Sequence, residues 1–263
     1  MYEGVRMSVK LYVFNSGLLK STKDKFLYNI GIGEPFEVPV PYYMVDIDGV
    51  KILIDSGMST GCVKDPRGTW GDVIDVYYPV MNEEDVPLVA LSKIGVKPEE
   101  VSYIIHTHLH LDHAGSTRFF PNAKVIVQLS ELRYAYFSDP LMKAAYIEKD
   151  LKERDIKWEP VVGIKSMFNG KILLFPTTGH TPGHQSVLVR LQKHKSVIIT
   201  GDAIYLRDNF EKKIPSGFAL NFADAAYAVE TIGNIAKEEN AEIWFGHDPE
   251  FFKTLKLAPF YYE

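Results

Sequence analysis

Thiols are nearly missing from this sequence: Cys62 is the one cysteine among 263 residues. A disulfide within the chain is therefore excluded, as is any centre built on paired thiolates, and the composition suits a reducing compartment. An excess of positive charge is missing too. Lys and Arg number 29 against 34 Asp and Glu, a net charge of −5, and no long basic run disturbs that balance. Such a chain has no electrostatic hold on a nucleic-acid backbone, so nucleic acid is not an expected partner. No stretch approaches the ~20 apolar residues of a membrane span. The first ten residues lack the apolar core of a signal peptide, and a cytoplasmic location is expected. Met7 offers an alternative start, which would leave Met1–Arg6 a disordered tail. No internal repeat is visible.

What is present is a large apolar fraction, 46% of the residues, enough for a sizeable core in one or two domains. Strands are expected at Val9–Asn15, at a hairpin from about Tyr42 to Asp55 turning at Asp46–Gly49, and at Val101–Ile105 and Lys124–Gln128. Further strands are expected at Trp158–Val162, Lys171–Phe175, Ser186–Leu191, Ser196–Thr200 and Glu242–Phe245. Ser16–Gly33 reads as a loop and Ser59–Met81 as a long surface excursion. Asn82–Asp85 begins a helix that Gly95 ends, and Phe222–Lys237 carries an apolar helical face. Between them, Ser130 opens a helix that Pro140 interrupts and Leu141–Asp155 resumes: a broken helical insertion over about 130–156, suited to a lid or an oligomer surface. Two β-rich halves with helices outside and metal-capable residues at strand ends make an α/β sandwich with a site at one edge.

The chemistry gathers at YIIHTHLHLDHAGS, residues 103–116. An apolar strand runs into His108, His110, Asp112 and His113, four metal-capable side chains within six positions. On extended backbone, His108 and His110 point the same way, whereas His113, next to Asp112, must point elsewhere. Two ions satisfy that geometry better than one. Catalytic sites hold each ion with about three protein ligands and leave a position open, so more ligands must come from other strand ends. His184 lies in TGHTPGHQS just before a strand, Asp202 follows the strand ending at Ile199, and His247 follows Ile243–Phe245. A carboxylate has two oxygens, so Asp202 can serve both ions.

HxHxDH, a later His, an Asp after a strand and a last His together resemble the metallo-β-lactamase superfamily. The resemblance implies a four-layer αβ/βα sandwich formed by one hydrolase domain over residues 1–263. His108, His110 and His184 would hold one ion, Asp112, His113 and His247 the other, and Asp202 would bridge. Within the superfamily the chain resembles the N-acyl-homoserine lactonases, over VPVPYYMVDIDGVKILIDSGM, MNEEDVPLVALSKIGVKPEEVSYII, TPGHQS, GDAIYLRDNF and the final FGHD. Tyr205, three residues past Asp202, matches a tyrosine that assists catalysis in that family. His106 and the first six residues depart from it.

The implied function is a hydrolase opening the lactone ring of N-acyl-homoserine lactones, quenching quorum sensing, with an acyl-homoserine lactone as its small-molecule partner. Two divalent ions, zinc first and cobalt, iron or manganese as alternatives, would supply a hydroxide at neutral pH. Tyr205 would stabilise the oxyanion, and Asp112 would relay a proton to the leaving alkoxide. The rival is a glyoxalase-II-like thioesterase or other small-ester hydrolase with the same ligands. The common zinc β-lactamases place Cys where Asp202 stands, and the related nucleases usually carry an extra domain or a basic exosite. Other residues read more plainly. His106 is packing or support, His180 bonds within its own turn, His194 is a solvated hairpin tip, and Cys62 is inert. Tyr42, Tyr43, Trp70, Tyr77 and Tyr78 suit an acyl-chain pocket, core or a homodimer surface equally. Glu148–Asp155 reads as a wet helix face.

Overall fold

The structure, a computed structural model, describes residues 7–140, 142–152 and 155–263. The tail expected at Met1–Arg6 lies outside the described residues. Runs rich in Val, Ile and Leu form strands β1 (Val9–Thr22), β2 (Pro35–Ile47), β3 (Val50–Ile54), β4 (Tyr78–Val80), β5 (Val101–Ile105), β6 (Lys124–Gln128) and β7 (Lys157–Val161). They continue with β8 (Lys165–Met167), β9 (Ile172–Pro176), β10 (Gln185–Val189), β11 (Val197–Ile199), β12 (Glu242–Trp244) and β13 (Tyr261–Tyr262). One sheet runs β13-β1-β2-β3-β5-β6-β7, with β4 also on β1, and the other runs β12-β11-β10-β9-β8. The expected hairpin is β2–β3, closed by Asp48 and Gly49, both at positive φ, as a right-twisted two-residue turn requires.

The two sheets face each other. Val13, Val45, Ile54 and Ile105 of the first pack against Leu174, Val187, Ile199 and Trp244 of the second. Helices cover the outer faces. α2 (Pro87–Ser92) sets Leu91 against Tyr42, Leu53 and Ile104, and α6 (Phe222–Glu238) sets Ile232 against Leu188 and Ile198. Asn221 starts α6 by accepting the N–H groups of Ala223 and Asp224. The result is the four-layer arrangement that the sequence implies. Strands β3, β5, β6 and β7 run parallel to one another, as do β11 and β12, so the carboxyl ends of both parallel sets supply one rim with its loops.

Several expectations need correction. Ser16–Gly33 is not all loop, because β1 continues past an irregularity between Asn15 and Leu18 and pairs again with β2 as far as Thr22. The helix expected after Asn82 is one 3-10 turn followed by the short α2, which Pro87 initiates. Ser130 lies inside α3 (Leu129–Tyr136), which begins after Gln128. Past α3, the described residues of the insertion form a 3-10 turn at Lys143–Ala145 and α4 (Glu148–Leu151). Asp150 of its charge run is buried, within 3.5 Å of the Ser59 hydroxyl and 3.8 Å of Arg118 Nε, so that part is no wet face.

The stretch 59–81 is a folded unit, not a surface excursion. It comprises a 3-10 turn at Thr60–Val63, α1 (Pro66–Trp70), a 3-10 stretch at Gly71–Asp75 and β4. Cys62, Trp70 and Ile74 are buried with Val38, Val40 and Met81. Trp70→Ala is therefore expected to cost ~3–5 kcal/mol in urea unfolding. A change within ~0.5 kcal/mol, usual at a surface site, would contradict the packing.

Candidate metal centre

The centre is built on loops leaving that rim. Past β5 the chain bends at Thr107, and after His110 it turns tightly, with the N–H groups of His113 and Ala114 both reaching the His110 carbonyl. The turn, rather than strand alternation, carries Asp112 and His113 to one side. The loop from β11 brings Asp202, the loop from β12 brings His247, and the β9–β10 loop brings a histidine from the smaller sheet. Gly201 is at φ +52°, and a Cβ there would sit 2.8 Å from His184 Nε2 and 2.8 Å from the Thr107 Cβ. Only glycine allows the chain to turn so close to its neighbours.

Asp202 lies between two groups of side chains. Its Oδ2 is 3.5 Å from His108 Nε2 and 3.2 Å from His180 Nε2. Its Oδ1 is 3.1 Å from His113 Nε2 and 3.1 Å from His247 Nε2. His180 Nε2 is also 2.9 Å from His110 Nδ1, while Asp112 Oδ2 lies 3.5 Å from His113 Nε2 and 3.6 Å from His247 Nε2. His108, His110, His180 and Asp202 thus form one candidate metal group, and Asp112, His113 and His247 a second.

His184 is not in the first group, and His180 is. Thr177 N–H bonds the His184 carbonyl at 2.9 Å, which extends the β9–β10 ladder past its last paired residues. His184 is therefore part of the sheet end. Its Nε2 accepts the Asp202 N–H at 3.0 Å and its Nδ1 bonds Thr177 Oγ1 at 2.9 Å, so both nitrogens are engaged. Burial, then His180, pushes its pKa down to about 3. His180, four residues earlier at the loop tip, reaches across to His108 and His110. The expectation that it bonds only within its own turn fails for that reason.

In four of the five histidines of these groups the ring nitrogen facing away from the centre is occupied; His110 Nε2 is buried and has no partner among the described residues. His113 Nδ1 donates to Asp55 at 2.8 Å, His247 Nδ1 to the Pro39 carbonyl at 2.8 Å, and His180 Nδ1 to the Phe218 carbonyl at 3.0 Å. His108 Nδ1 lies 3.1 Å from Thr107 Oγ1, whose own proton goes to Asp55. Each of these rings then presents a bare nitrogen inward. His108 Nε2 and His180 Nε2 stand 3.2 Å apart as two facing lone pairs, and His113 Nε2 has no hydrogen-bond partner among the described residues. Only positive charge makes that arrangement favourable, and an all-nitrogen and oxygen donor set suits a divalent transition metal. Burial opposes charge on His113, yet Asp202, Asp112 and Asp55 outweigh it and raise its pKa well above the usual range, so that without a metal a proton takes the place of the cation at this ring.

Asp55 was legible only as a turn residue. It is buried, at φ +58°, and accepts from Thr107 N–H, Thr107 Oγ1 and His113. Glu131 carried no sequence signal at all. His106 supports rather than faces the centre, lying 3.4 Å from Asp55 and 2.8 Å from Thr117 Oγ1. His194 rests half-buried on Tyr262, and burial raises the Cys62 thiol far above its ordinary range.

Beside the centre opens a cavity of about 360 Å³. Leu19, Phe26, Val73, Val76, Tyr77 and Phe218 give it an apolar lining, and Ala144 and Ala145 of the insertion complete a wall. Of the five candidate aromatics only Tyr77 lines it: Tyr42, Tyr43 and Trp70 are core, and Tyr78 is exposed. The insertion is pinned here, with Leu111 N–H bonded to the Ala145 carbonyl. Tyr205 lies at the inner end, its hydroxyl 3.3 Å from His180 Nδ1 and its ring against Phe26 and His247. Burial and then Asp202 push the phenol well above its ordinary pKa, so it remains a proton donor.

Comparison with known proteins agrees with this architecture. Residues 35–247 match the model of the metallo-beta-lactamase superfamily. An N-acyl homoserine lactonase AttM of Rhizobium radiobacter is 36% identical over 259 residues, 97% of this chain and 98% of its own. An N-acyl homoserine lactonase of Bacillus cereus is 31% identical over 256 residues, covering 96% and 98%. Among solved structures, an N-acyl homoserine lactone hydrolase with N-hexanoyl-L-homoserine bound at its catalytic metal centre superposes with a TM-score of 0.88 at 29% identity, over 97% and 99% of the two chains. With its paired sheets, its two ligand groups and this match over most of its length, the chain belongs to the metallo-beta-lactamase superfamily.

Proposed function

We propose that this protein is a metal-dependent hydrolase that opens the lactone ring of N-acyl homoserine lactones to N-acyl homoserines, and so quenches quorum sensing. The observation that carries the reading is Asp202, whose two oxygens face two separate groups of bare imidazole nitrogens at the end of an apolar cavity. Its likeness to the lactonases above supports the choice of substrate. His108, His110, His180 and Asp202 would hold one divalent ion, and Asp112, His113, His247 and Asp202 the other. Zinc is the proposed metal, in one cytoplasmic hydrolase domain.

Ions in these two places supply Lewis acidity and lower the pKa of water toward ~7. The chain's own residues do the rest. The apolar lining takes the acyl chain and excludes water, as ligand pockets generally do. Tyr205, kept protonated, donates to the lactone carbonyl oxygen as negative charge develops there. Asp112, at the cavity wall, carries a proton to the ring oxygen as it leaves. Asp55, through His113, and Pro39, through His247, fix the rings so that no reorganisation is needed during the reaction.

Wild-type protein is expected to carry about two ions per chain; His180→Gln is expected to lose about one, and His184→Gln to keep both. Metal analysis showing the reverse pattern would return His184 to the ligand set. In parallel hydrolysis assays, short- and long-chain acyl-homoserine lactones should turn over while S-lactoylglutathione and a cephalosporin do not. Tyr205→Phe should lower lactone kcat by about 10²-fold at unchanged metal content. Turnover of the thioester alone would sink the lactonase reading.

A further inference from the structure

Glu131 is fully buried in the first turn of α3, and burial raises its pKa above the ordinary glutamate range despite the hydrogen bonds it accepts. Four donors converge on its carboxylate. Oε1 accepts from the Leu109 N–H at 3.0 Å and the Tyr146 hydroxyl at 3.1 Å. Oε2 accepts from Thr181 Oγ1 at 2.6 Å and the Gly183 N–H at 3.2 Å. The donors come from three segments. Leu109 stands between His108 and His110, Thr181 and Gly183 lie one and three residues after His180, and Tyr146 comes from the insertion with its ring 4.9 Å from that of His110. The backbones are equally close: a Cβ on Gly183 would lie 2.0 Å from the Glu131 nitrogen and 2.4 Å from its Cα.

We propose that Glu131 is a positioning residue that clamps the His108–His110 loop to the His180 loop, setting the first group of nitrogens before an ion arrives. The inference rests on reading those histidines as ligands. Both Glu131 oxygens act only as acceptors, so the carboxylate cannot be exchanged for an amide: a Gln NH₂ would face two of the four donors. The carboxylate reaches Leu109 on one loop and Thr181 with Gly183 on the other, and none of these three donors is a ligand in either group. A clamp that touches only the first group should affect one ion and spare the other, because His113 and His247 have their own supports in Asp55 and Pro39.

The test is cobalt(II) titration of metal-free protein, followed by visible absorption and chelator competition, with urea unfolding of each metal-free variant alongside. Glu131→Gln and Thr181→Val should each weaken one of the two ions by about 10–100-fold and alter its absorption, leaving the other unchanged. Thr181→Ser keeps the hydroxyl and should restore the wild-type affinity and spectrum. If Glu131→Gln does not fold, the Thr181→Val and Thr181→Ser pair carries the test. Wild-type affinity and spectrum in Thr181→Val would overturn the proposal, as would equal weakening of both ions in step with lost apo-protein stability. Failure of the ligand reading itself is distinct, since wild-type protein would then bind no cobalt and no variant would be needed to see it.

Discussion

The structure depends on one constraint: bare imidazole nitrogens and carboxylate oxygens held a few ångströms apart, with Asp202 between them. His108 Nε2 and His180 Nε2 stand 3.2 Å apart, and the Asp202 oxygens lie 3.1–3.5 Å from nitrogens on either side. Such a cluster repels itself unless cations occupy it, and the rings of His108, His113, His180 and His247 are tied from behind. The stability lost in assembling it is offset elsewhere, in the apolar layers between and outside the two sheets.

The sandwich makes that constraint possible. Parallel strands in each sheet deliver their carboxyl ends to one rim, so a loop from β5 meets loops from β11 and β12 that belong to the other sheet. The supports come from equally distant parts of the chain. Asp55 ends β3, Pro39 lies in β2, and Glu131 opens α3. Rigid elements therefore fix the donor atoms, while Val73, Val76 and Tyr77 of the 59–81 unit and Ala144 and Ala145 of the insertion shape the cavity in which a substrate would sit.

Much of this was legible in the sequence, for physical reasons. Runs such as Val101–Ile105 and Lys124–Gln128 can only be buried strands, and HTHLHLDH at the end of one concentrates too much ligand chemistry for packing. Asp202 and His247 share the same signature of a polar residue just beyond an apolar run. The choice between His180 and His184 was not legible, because it turns on where the β9–β10 ladder begins, and His184 is already inside it. Asp55 and Glu131 were hidden for a related reason: each is a single acid whose donors come from distant parts of the chain. The 59–81 stretch misled because 3-10 turns bury side chains without a period of 2 or 3.6.

X-ray absorption spectroscopy of the metal-loaded protein tests the central claim most directly, since it reports both the donor atoms and the nearest heavy scatterer. The account predicts nitrogen and oxygen neighbours only, with a second metal at ~3.5–4 Å, the spacing a shared carboxylate enforces. A spectrum with a single isolated metal and no metal scatterer at that distance would contradict it.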